Sequence, residues 1–419
     1  MTRDLERKVK ILIDKGVRIL DPSAVDIGED VDPDRISGDR VTIYPGCRIY
    51  GDRTLIMEKV TLGFEGPVTV ENCLIGPGVN IKAGFCRGSV FLDNSAAGAG
   101  AHIRAGCLLE ECSSLAHTVG IKQTILFPFV TLGSLINFCD CLMSGGTGRK
   151  DHSEVGSSFI HFNFTPNGDK ATASLLGDVP RGVTLNQRPI FMGGQGGLVG
   201  PARIGFGTVT AAGTILRRDC PEGNKLHLGG GMKRRTIPYH AGIYMGVRDR
   251  FFNNFNYIAN LIALKNWYLR IRLHFFASSD LKKLLYRGAV DVIDRAVAER
   301  IRRVQELAEK MPASSENYQK VLGKKLSPLL QRRKEEIWEK RRALGEYFKA
   351  MKEETEIAER EYSRFIEKFR GAPPEPGANY PNFIRKLDPE TAARATAWLR
   401  AIVDEVNGGA LAIVPSFKT

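Results

Sequence analysis

Long apolar runs are absent from this sequence. None of its 419 residues belongs to a stretch of about 18 uncharged apolar residues, which a membrane-spanning helix requires. The N-terminus reads MTRDLERK, and this charged start differs from a secretory signal peptide. We therefore expect a cytoplasmic protein with no membrane span.

A paired cysteine framework is also absent. Cys139 and Cys141 would share one face of any strand, but no second pair supplies the rest of a zinc site. The other cysteines are scattered through the chain: Cys47, Cys73, Cys86, Cys107, Cys112 and Cys220. We interpret all of them as small buried apolar residues and predict no metal site.

Glycine is scarce in the second part of the chain. Residues 1–240 hold 35 glycines, whereas residues 241–419 hold 9. Charge divides differently, with 27 Lys+Arg against 24 Asp+Glu in the first part and 33 against 23 in the second. Most of the net charge of +13 therefore lies in the second part. Two architectures meet near residue 240, a glycine-rich one that turns often and a glycine-poor basic one.

A six-residue period runs through the first part. Small or medium residues recur at Ala97, Ile103, Leu109, Leu115 and Ile121, and again at Leu198, Ile204, Thr210 and Leu216. In hexapeptide repeats each unit forms a short strand and a turn, and stacked coils bury a column of inward side chains. The period predicts a mainly β fold, a left-handed parallel β-helix over about residues 41–216, with loops near 145–151 and 179–189.

We expect three segments. Residues 1–40 form a helix ending at Gly16 and a lead-in, residues 41–235 form the β-helix, and residues 236–419 form an α-helical domain with a proline-rich linker near 371–377. The aromatic-rich segment from Val247 predicts a helix buried on most sides.

Capping signals predict three more helices in the second part. Asp280 caps one that runs toward Met311 and ends at Pro312. A long one runs from Ser327–Pro328 to about residue 370, and the last runs from Asp388–Pro389 to residues 407–409. The long helix alternates its charges, which indicates a solvated face. A basic surface for nucleic acid, anionic lipid or a protein partner is the alternative.

Residues 159–170, FIHFNFTPNGDK, combine a short apolar strand with a polar loop. Strand alternation predicts that His161 and Asn163 point to one face, and Lys170 follows the turn. An imidazole, a carboxamide and an ammonium group could hold an anionic, hydroxylated substrate beside a proton acceptor. A surface hairpin is the alternative.

Several segments carry a family resemblance. They are residues 12–22, the run AHIRAGCLLEEC from Ala101, the loop FNFTPNGDK from Phe162 and the repeats from Leu198. They resemble the acetyltransferase half of the bifunctional N-acetylglucosamine-1-phosphate uridyltransferase and glucosamine-1-phosphate acetyltransferase family. The resemblance implies a homotrimeric left-handed β-helix that moves acetyl from acetyl-CoA to the amine of a phosphosugar. The family's nucleotidyltransferase half has no counterpart here, so we expect no uridylyl transfer.

The resemblance also implies roles for single residues. Arg104 and Lys122, eighteen residues apart, fall where the family holds the substrate's phosphate. Asn137 replaces a substrate-binding tyrosine, while Asn163 matches the loop asparagine and Lys170 falls near the loop lysine. The positions beside the pantetheine arm of CoA are occupied by Gly194, Ala211 and Ala212.

The family's catalytic histidine is replaced by Ser134. Acyl transfer needs a deprotonated amine, so we expect another base. His161 is our first candidate, and His152, which Asp151 or Glu154 could orient, is the second. His102 and His117 remain possible through neighbouring coils or subunits.

The function we expect is an acyl-CoA-dependent, and specifically acetyl-CoA-dependent, transferase acting on a phosphosugar or sugar nucleotide with an amine. The rival hypothesis is a non-catalytic protein that binds sugar nucleotides, such as UDP-N-acetylglucosamine, while its helical domain recruits a partner. A nucleic-acid-associated protein is the third, but no nucleic-acid-binding motif accompanies the charge.

Overall fold

The first part of the chain coils through three parallel sheets. The computed structural model describes residues 3–229, 236, 238–369, 375 and 378–418. Each coil contributes one short strand to each sheet in turn, and neighbouring strands in a sheet come from successive coils. The structure confirms a parallel β-helix followed by a helical region.

The strands are only two to four residues long. The first sheet contains Arg18–Ile19, Thr42–Ile43, Thr61–Leu62, Asn80–Ile81, Ala96–Ala97, Ser114–Leu115, Thr131–Leu132, Glu154–Val155, Phe191–Met192, Val209–Thr210 and Leu226–His227. The second contains Asp26–Ile27, Arg48–Tyr50, Val68–Glu71, Gly84–Arg87, Ala101–Ile103, Val119–Lys122, Ile136–Cys139, Ile160–Phe162, Gly197–Val199 and Ile215–Leu216. The third contains Leu55–Ile56, Leu74–Ile75, Val90–Phe91, Leu108–Leu109, Ile125–Leu126, Cys141–Met143, Ser174–Leu176 and Arg203–Ile204.

Inward side chains form continuous columns inside the coil. In the second sheet, Ile103 pairs with Ile121, which pairs with Phe138, and all three are fully buried. The residues of the six-residue period are buried too, except Leu216 of the last coil, which is half-buried. Stacking thus buries what one repeat could not bury alone. The sheets begin at Arg18, inside the segment predicted as a lead-in.

Three corners connect the sheets. The first corner joins the first sheet to the second (residues 116–118, 133–135, 156–159, 193–196 and 211–214). The second corner joins the second sheet to the third (123–124, 140, 163–173 and 200–202). The third corner returns to the first sheet (127–130, 144–153, 177–190 and 205–208) and carries both predicted interruptions. One is an antiparallel hairpin of Gly146–Gly148 and Asp151–His152, and the other contains a short helix.

The described part of the chain contains nine α-helices: α1 Arg3–Asp14, α2 Val179–Gly182, α3 Val247–Arg270, α4 Asp280–Glu309, α5 Met311–Leu322, α6 Pro328–Glu353, α7 Glu359–Phe369, α8 Tyr380–Ile384 and α9 Pro389–Ile413. Short 3₁₀ helices cover Pro22–Ala24, Pro33–Arg35, Arg272–Phe275 and Pro415–Phe417. Within these described residues, no helix is both long enough and apolar enough to cross a membrane.

Some helix limits differ from the predictions. Ser279, not Asp280, caps α4, because its hydroxyl accepts a bond from the Lys282 amide at 3.2 Å. Pro312 does not end that helix but lies in the first turn of α5, where a missing amide proton costs nothing. The long helix is broken into α6 and α7 by a turn that buries Ile357.

The last helix continues through Gly408 and Gly409, so α9 ends at Ile413. Two predicted features lie outside the described residues. They are most of the proline-rich linker near 371–377 and residues 230–235 at the predicted domain boundary. That boundary stays a prediction.

The helical region covers the third sheet. α3 packs on Ser174–Leu176, and α4 on Leu74–Ile75 and Val90–Phe91. Gly288 permits the contact with Leu74, because a Cβ there would come within 2.8 Å of the leucine side chain. As predicted from its aromatic residues, α3 is buried on most sides.

Ion pairs fasten α4 along the coil. Arg53 pairs with Asp291 at 2.6 Å and Asp140 with Arg300 at 2.7 Å, while Asp169 pairs with Lys310 near the end of the helix. The first and second sheets face away from these helices, so a site on the outer coil surface would lie there.

Candidate active site

Two cations lie side by side on the outer wall of the second sheet. Ile103 pairs with Ile121, so Arg104 and Lys122, the residues after them, sit on neighbouring strands about 5 Å apart. Both side chains are exposed, and no carboxylate among the described residues forms an ion pair with either. Two such cations on one wall are suited to binding an anion.

Cys139 completes this wall on the next strand. It pairs with Lys122 in the sheet, and its Sγ lies 3.3 Å from Nη2 of Arg104. Burial raises the pKa of the Cys139 thiol, and the nearby Arg104 only partly opposes this effect. The thiol is therefore neutral near pH 7 and leaves the two positive charges uncompensated.

Asn137 borders the two cations. It is exposed on the outer face, and its Oδ1 accepts a bond from the Cys139 thiol at 3.2 Å. Gly120 is its neighbour in the sheet, with His102 one strand further on. Because Gly120 has no side chain, the outer surface is indented between His102 and Asn137. The structure thus brings three predicted substrate-binding residues together around a shallow depression.

A histidine lies at the first corner, at one edge of this wall. Nδ1 of His117 is 2.8 Å from Oγ of Ser134, the residue predicted to stand in place of the family's histidine. His117 is exposed and sits one coil before Ser134, whose following residue, Leu135, donates its amide to the His117 carbonyl at 3.1 Å. Sequence reasoning left His117 as one open possibility. His117 precedes Ser134 by seventeen residues, which is one coil. This interval was the signal in the sequence that could have placed His117 beside Ser134.

The three residues predicted to bind the acyl carrier lie at this same corner. Gly194 accepts a bond from the Gly213 amide at 2.9 Å, which places it beside Ala211 and Ala212 on the next coil. On its other side, Ser157 accepts from the Gln195 amide at 2.8 Å through its carbonyl and from the Ser134 amide at 3.2 Å through its hydroxyl. The corner therefore forms one continuous edge from His117 to Ala212.

His161 is directed into the coil. It follows Phe138 in the inward column and pairs with Leu198, and both of these are fully buried. Its Nε2 lies 2.8 Å from Oγ of buried Ser174. Burial lowers the pKa of His161 to about 4. A substrate on the outer wall would not reach this ring, so the geometry favours a packing role, and catalysis by His161 stays a prediction.

His152 lies at the third corner, in the hairpin. Its Nε2 is 3.7 Å from Oε2 of Glu154, the predicted orienting residue, and its Nδ1 is buried without a partner among the described residues. Asp151 instead accepts a bond from Thr147 at 2.7 Å. The structure separates His152 from the cation wall by one whole side of the coil.

The second corner carries Asn163 and Lys170, but apart from each other. The strand ends at Phe162, so the alternation that predicted a common face for His161 and Asn163 stops before Asn163. The loop is held on the helical region by buried Asp169, which accepts bonds from Thr165 at 2.6 Å and Tyr244 at 2.8 Å. Lys170 is exposed toward α4, while Asn163 faces a different cavity.

Comparison with curated proteins finds relatives for the β-helix. The protein is 30% identical over 232 residues to the "Bifunctional protein GlmU" of Thermotoga petrophila, covering 55% of this chain and 46% of the relative. The protein of the same name from Pelobacter propionicus is 30% identical over 224 residues, covering 53% and 43%. In Nocardia farcinica the values are 28% over 218 residues, 52% and 39%.

This chain is similar to GlmU. The similarity confirms the resemblance seen in the sequence. The chain spans less than half the length of these curated relatives, and about half of the chain enters the alignment. No family model matches it.

No metal is suggested by the side chains. In the part of the chain that the structure describes, no three His, Cys, Asp or Glu residues lie close enough to hold a metal ion. The outer wall of the second sheet and the first corner gather two cations, one carboxamide, a thiol, a hydroxyl and two imidazoles, a set suited to binding an anion and moving a proton.

Proposed function

We propose that this protein transfers an acyl group from an acyl-CoA, in the first place acetyl-CoA, to the amine of a phosphorylated or nucleotide-linked amino sugar. The similarity to GlmU supports the reaction class. The observation that carries the proposal is the hydrogen bond between His117 and Ser134 at the corner that also carries Gly194 and Ala211. The proposed base and the residues proposed to hold the acyl carrier share this corner, and the strand Val119–Lys122 leads from it to the proposed anion site.

The residues suggest an order of events. Arg104 and Lys122 bind the phosphate, and Asn137 binds a sugar hydroxyl. Ser134 accepts the Nδ1 proton of His117, which leaves Nε2 free to accept a proton from the amine. The amine nitrogen attacks the thioester carbon, a C–N bond forms and the C–S bond breaks. The imidazolium then returns its proton to the leaving CoA thiolate.

Three histidine variants distinguish the candidate bases. CoA thiol release is measured with acetyl-CoA and a panel of amino-sugar phosphates for wild type, His117→Gln, His161→Gln and His152→Gln. We expect His117→Gln to lose at least about a hundredfold in kcat, because general base catalysis contributes that much, while the other two keep most of the activity. If only His161→Gln were inactive yet folded, the sequence-based prediction would replace this assignment.

The whole proposal has its own test. Wild-type protein that neither releases CoA with any amino-sugar phosphate nor binds acetyl-CoA in calorimetry would contradict a transferase. Binding of a sugar nucleotide without acyl transfer would indicate the non-catalytic alternative.

Cys139 reports on occupancy of the anion site. Because its Sγ contacts Arg104, a bound phosphosugar should shield it. Alkylation of Cys139 by iodoacetamide, followed by peptide mass spectrometry, should slow at least severalfold when glucosamine 1-phosphate is present. In Lys122→Gln the protection should weaken, and Cys112, a half-buried thiol outside the wall, serves as the internal control. Equal protection of both thiols would argue against a site at this wall.

A further inference from the structure

A second polar cavity lies where the β-helix meets the helical region. It has a volume of about 920 Å³ and is bounded by the second corner, the chain after the last strand of the second sheet, and the first turns of α3. Its lining includes two asparagines and three arginines: Asn163, Asn253, Arg217, Arg218 and Arg250. The proposed reaction uses none of these residues.

Three arginines give the cavity a surplus of positive charge. No carboxylate among the described residues forms an ion pair with Arg217, Arg218 or Arg250. Within the described part of the chain, Arg217 donates to the carbonyl of Ile215, at 3.2 Å. Arg250 is half-buried and its guanidinium lies 4.3 Å from the centre of the Phe164 ring, and burial lowers its pKa. Asp169 and Asp249 attract Arg250 from a distance, but neither forms an ion pair with it among the described residues. A half-buried cation in that position is stabilised when an anion binds.

The two carboxylates of the cavity do not neutralise this charge. Asp219 accepts bonds from Nε and Nη2 of Arg203 at 3.0 and 2.9 Å, and from Nδ2 of Asn253 at 2.9 Å. Asp249 pairs with its neighbour Arg248 at 3.2 Å. Each negative charge therefore already has a cation outside the group of three.

A buried amide adds a hydrogen-bond acceptor. Asn253 is 3% exposed, and its Nδ2 is bonded, but its Oδ1 has no partner in the described part of the chain. Such an orphaned acceptor costs free energy unless a donor reaches it. A hydroxyl group on a ligand would be such a donor. The cavity thus combines places for an anion and for a hydroxyl.

The cavity is separate from the cation wall. Val199, in its lining, lies three strands beyond Lys122 in the second sheet, or about 14 Å at the usual strand spacing. One phosphate cannot therefore contact both groups of cations.

We propose that this cavity binds a phosphorylated, hydroxylated small molecule of the sugar phosphate class. Arg217, Arg218 and Arg250 hold its phosphoryl group, and Asn253 accepts from a hydroxyl. The site exists independently of acyl transfer, because none of these groups belongs to the proposed catalytic corner.

Calorimetry on the full chain tests the site without any acyl-CoA. The background variant Arg104→Gln/Lys122→Gln removes the cation wall, and inorganic pyrophosphate and glucosamine 1-phosphate serve as probes. We expect both to bind this background. Adding Arg218→Gln or Arg250→Gln should weaken binding at least about tenfold, the usual effect of losing one charged hydrogen bond. Arg332→Gln, which removes an exposed arginine on α6, should leave it unchanged.

The hydroxyl contact has its own readout. Asn253→Leu should weaken glucosamine 1-phosphate and leave pyrophosphate unaffected. Arg218 is exposed, so Arg218→Gln can be tested even if Arg250→Gln unfolds. No binding of either probe to the background variant, or equal binding after Arg217→Gln, Arg218→Gln and Arg332→Gln, would overturn the proposal. Loss of acyl transfer would have no bearing on it, since no transfer is measured.

Discussion

At the residue scale, Gly194 has no room for a side chain. A Cβ at this position would lie 2.9 Å from the carbonyl oxygen of Ser157, a backbone atom that cannot swing aside. The corner is therefore too tight here for a side chain as large as that of serine. A glycine at this point lets two coils approach closely beside the proposed acyl-carrier path.

Gly194→Ser should destabilise the protein. We expect a loss of about 1 to 3 kcal/mol in the free energy of unfolding, the usual cost of overpacking, measured by urea denaturation. Gly408→Ala is the control, because nothing lies within 4 Å of its Cβ and alanine suits the interior of α9 better than glycine. Equal stability of Gly194→Ser and wild type would show that the coils can separate at this corner.

His161 should make the stability of the folded protein depend on pH below about 6.5. Burial lowers its pKa to about 4 from the usual 6.5, so the folded protein binds fewer protons than the unfolded chain between these values. Above pH 6.5 the imidazole is neutral in both states and the free energy of unfolding keeps its full value. As the pH falls from 6.5 toward 4, the free energy of unfolding decreases, by up to about 3 kcal/mol.

His161→Leu should remove this loss. When the pH is lowered from 7.5 to 4.5, the free energy of unfolding of this variant should rise relative to that of wild type, as measured by urea denaturation at each pH. The difference between the two proteins isolates His161 from the carboxylates that titrate in the same range. A constant difference at both pH values would mean that the imidazole is not sheltered from water.

The residue scale also shows how far sequence reasoning reaches. The period predicted the inward columns, and counting one coil back from Ser134 would have reached His117. The direction of His161 was not predictable from alternation alone, because alternation gives two opposite faces without saying which is inside. Phe138, one coil earlier, settles that choice once the register is known.

At the element scale, a buried ion pair joins the 3₁₀ helix Arg272–Phe275 to the coil. Arg272 is fully buried and donates to both carboxylate oxygens of Glu111, at 3.1 and 2.7 Å. Its guanidinium also lies 3.7 Å from the centre of the Tyr380 ring, at the start of α8. Three elements from distant parts of the chain therefore meet at one side chain.

Removing one member of this pair should cost more than removing both. Arg272→Met leaves the Glu111 carboxylate buried without its cation, and we expect a loss of about 3 to 5 kcal/mol. Adding Glu111→Met should recover part of the loss, since the Glu111 carboxylate is then no longer buried without its cation, while buried Glu110 still lacks the attraction of Arg272. A double-mutant cycle by chemical denaturation measures the coupling. Simple additivity of the two losses would contradict a mutually compensating pair.

Local signals predicted where several elements begin but not which residues meet. Ser327 and Asp388 cap their helices as their sequences indicate, because capping depends on residues within one turn. Glu111 and Arg272 are 161 residues apart, and nothing local links them. The polar cavity between the β-helix and the helical region is likewise formed by residues from three separate segments.

At the scale of the whole molecule, the helical region leaves two sides of the coil available. Phe191, Val209 and Leu226 are neighbours on the outer face of the first sheet and are 41%, 38% and 61% exposed. This apolar strip, together with the similarity to GlmU, supports our prediction of a homotrimer with sites between the β-helices of adjacent subunits.

Light scattering after size exclusion tests the assembly. We expect three times the chain mass of 46.3 kDa for wild type and a shift toward the single-chain mass for Val209→Lys, because a buried lysine would lack a partner. Thr61→Lys adds the same charge to the outer face of the same sheet near its other end and should not change the mass. A wild-type monomer at micromolar concentration would refute the trimer.

The ion pairs along α4 have a mechanical consequence. From Asp291 to Lys310 the helix rises about 28 Å, and six strand spacings of the second sheet, from the coil of Arg53 to that of Asp169, span about 29 Å. The helix thus matches the coil in length and acts as a splint. A solenoid without one can unwind from either end, one repeat at a time. Here, the coils between the two ion pairs should unfold cooperatively. Pulling on the two ends of the chain should therefore give one large unfolding force instead of a series of small ones.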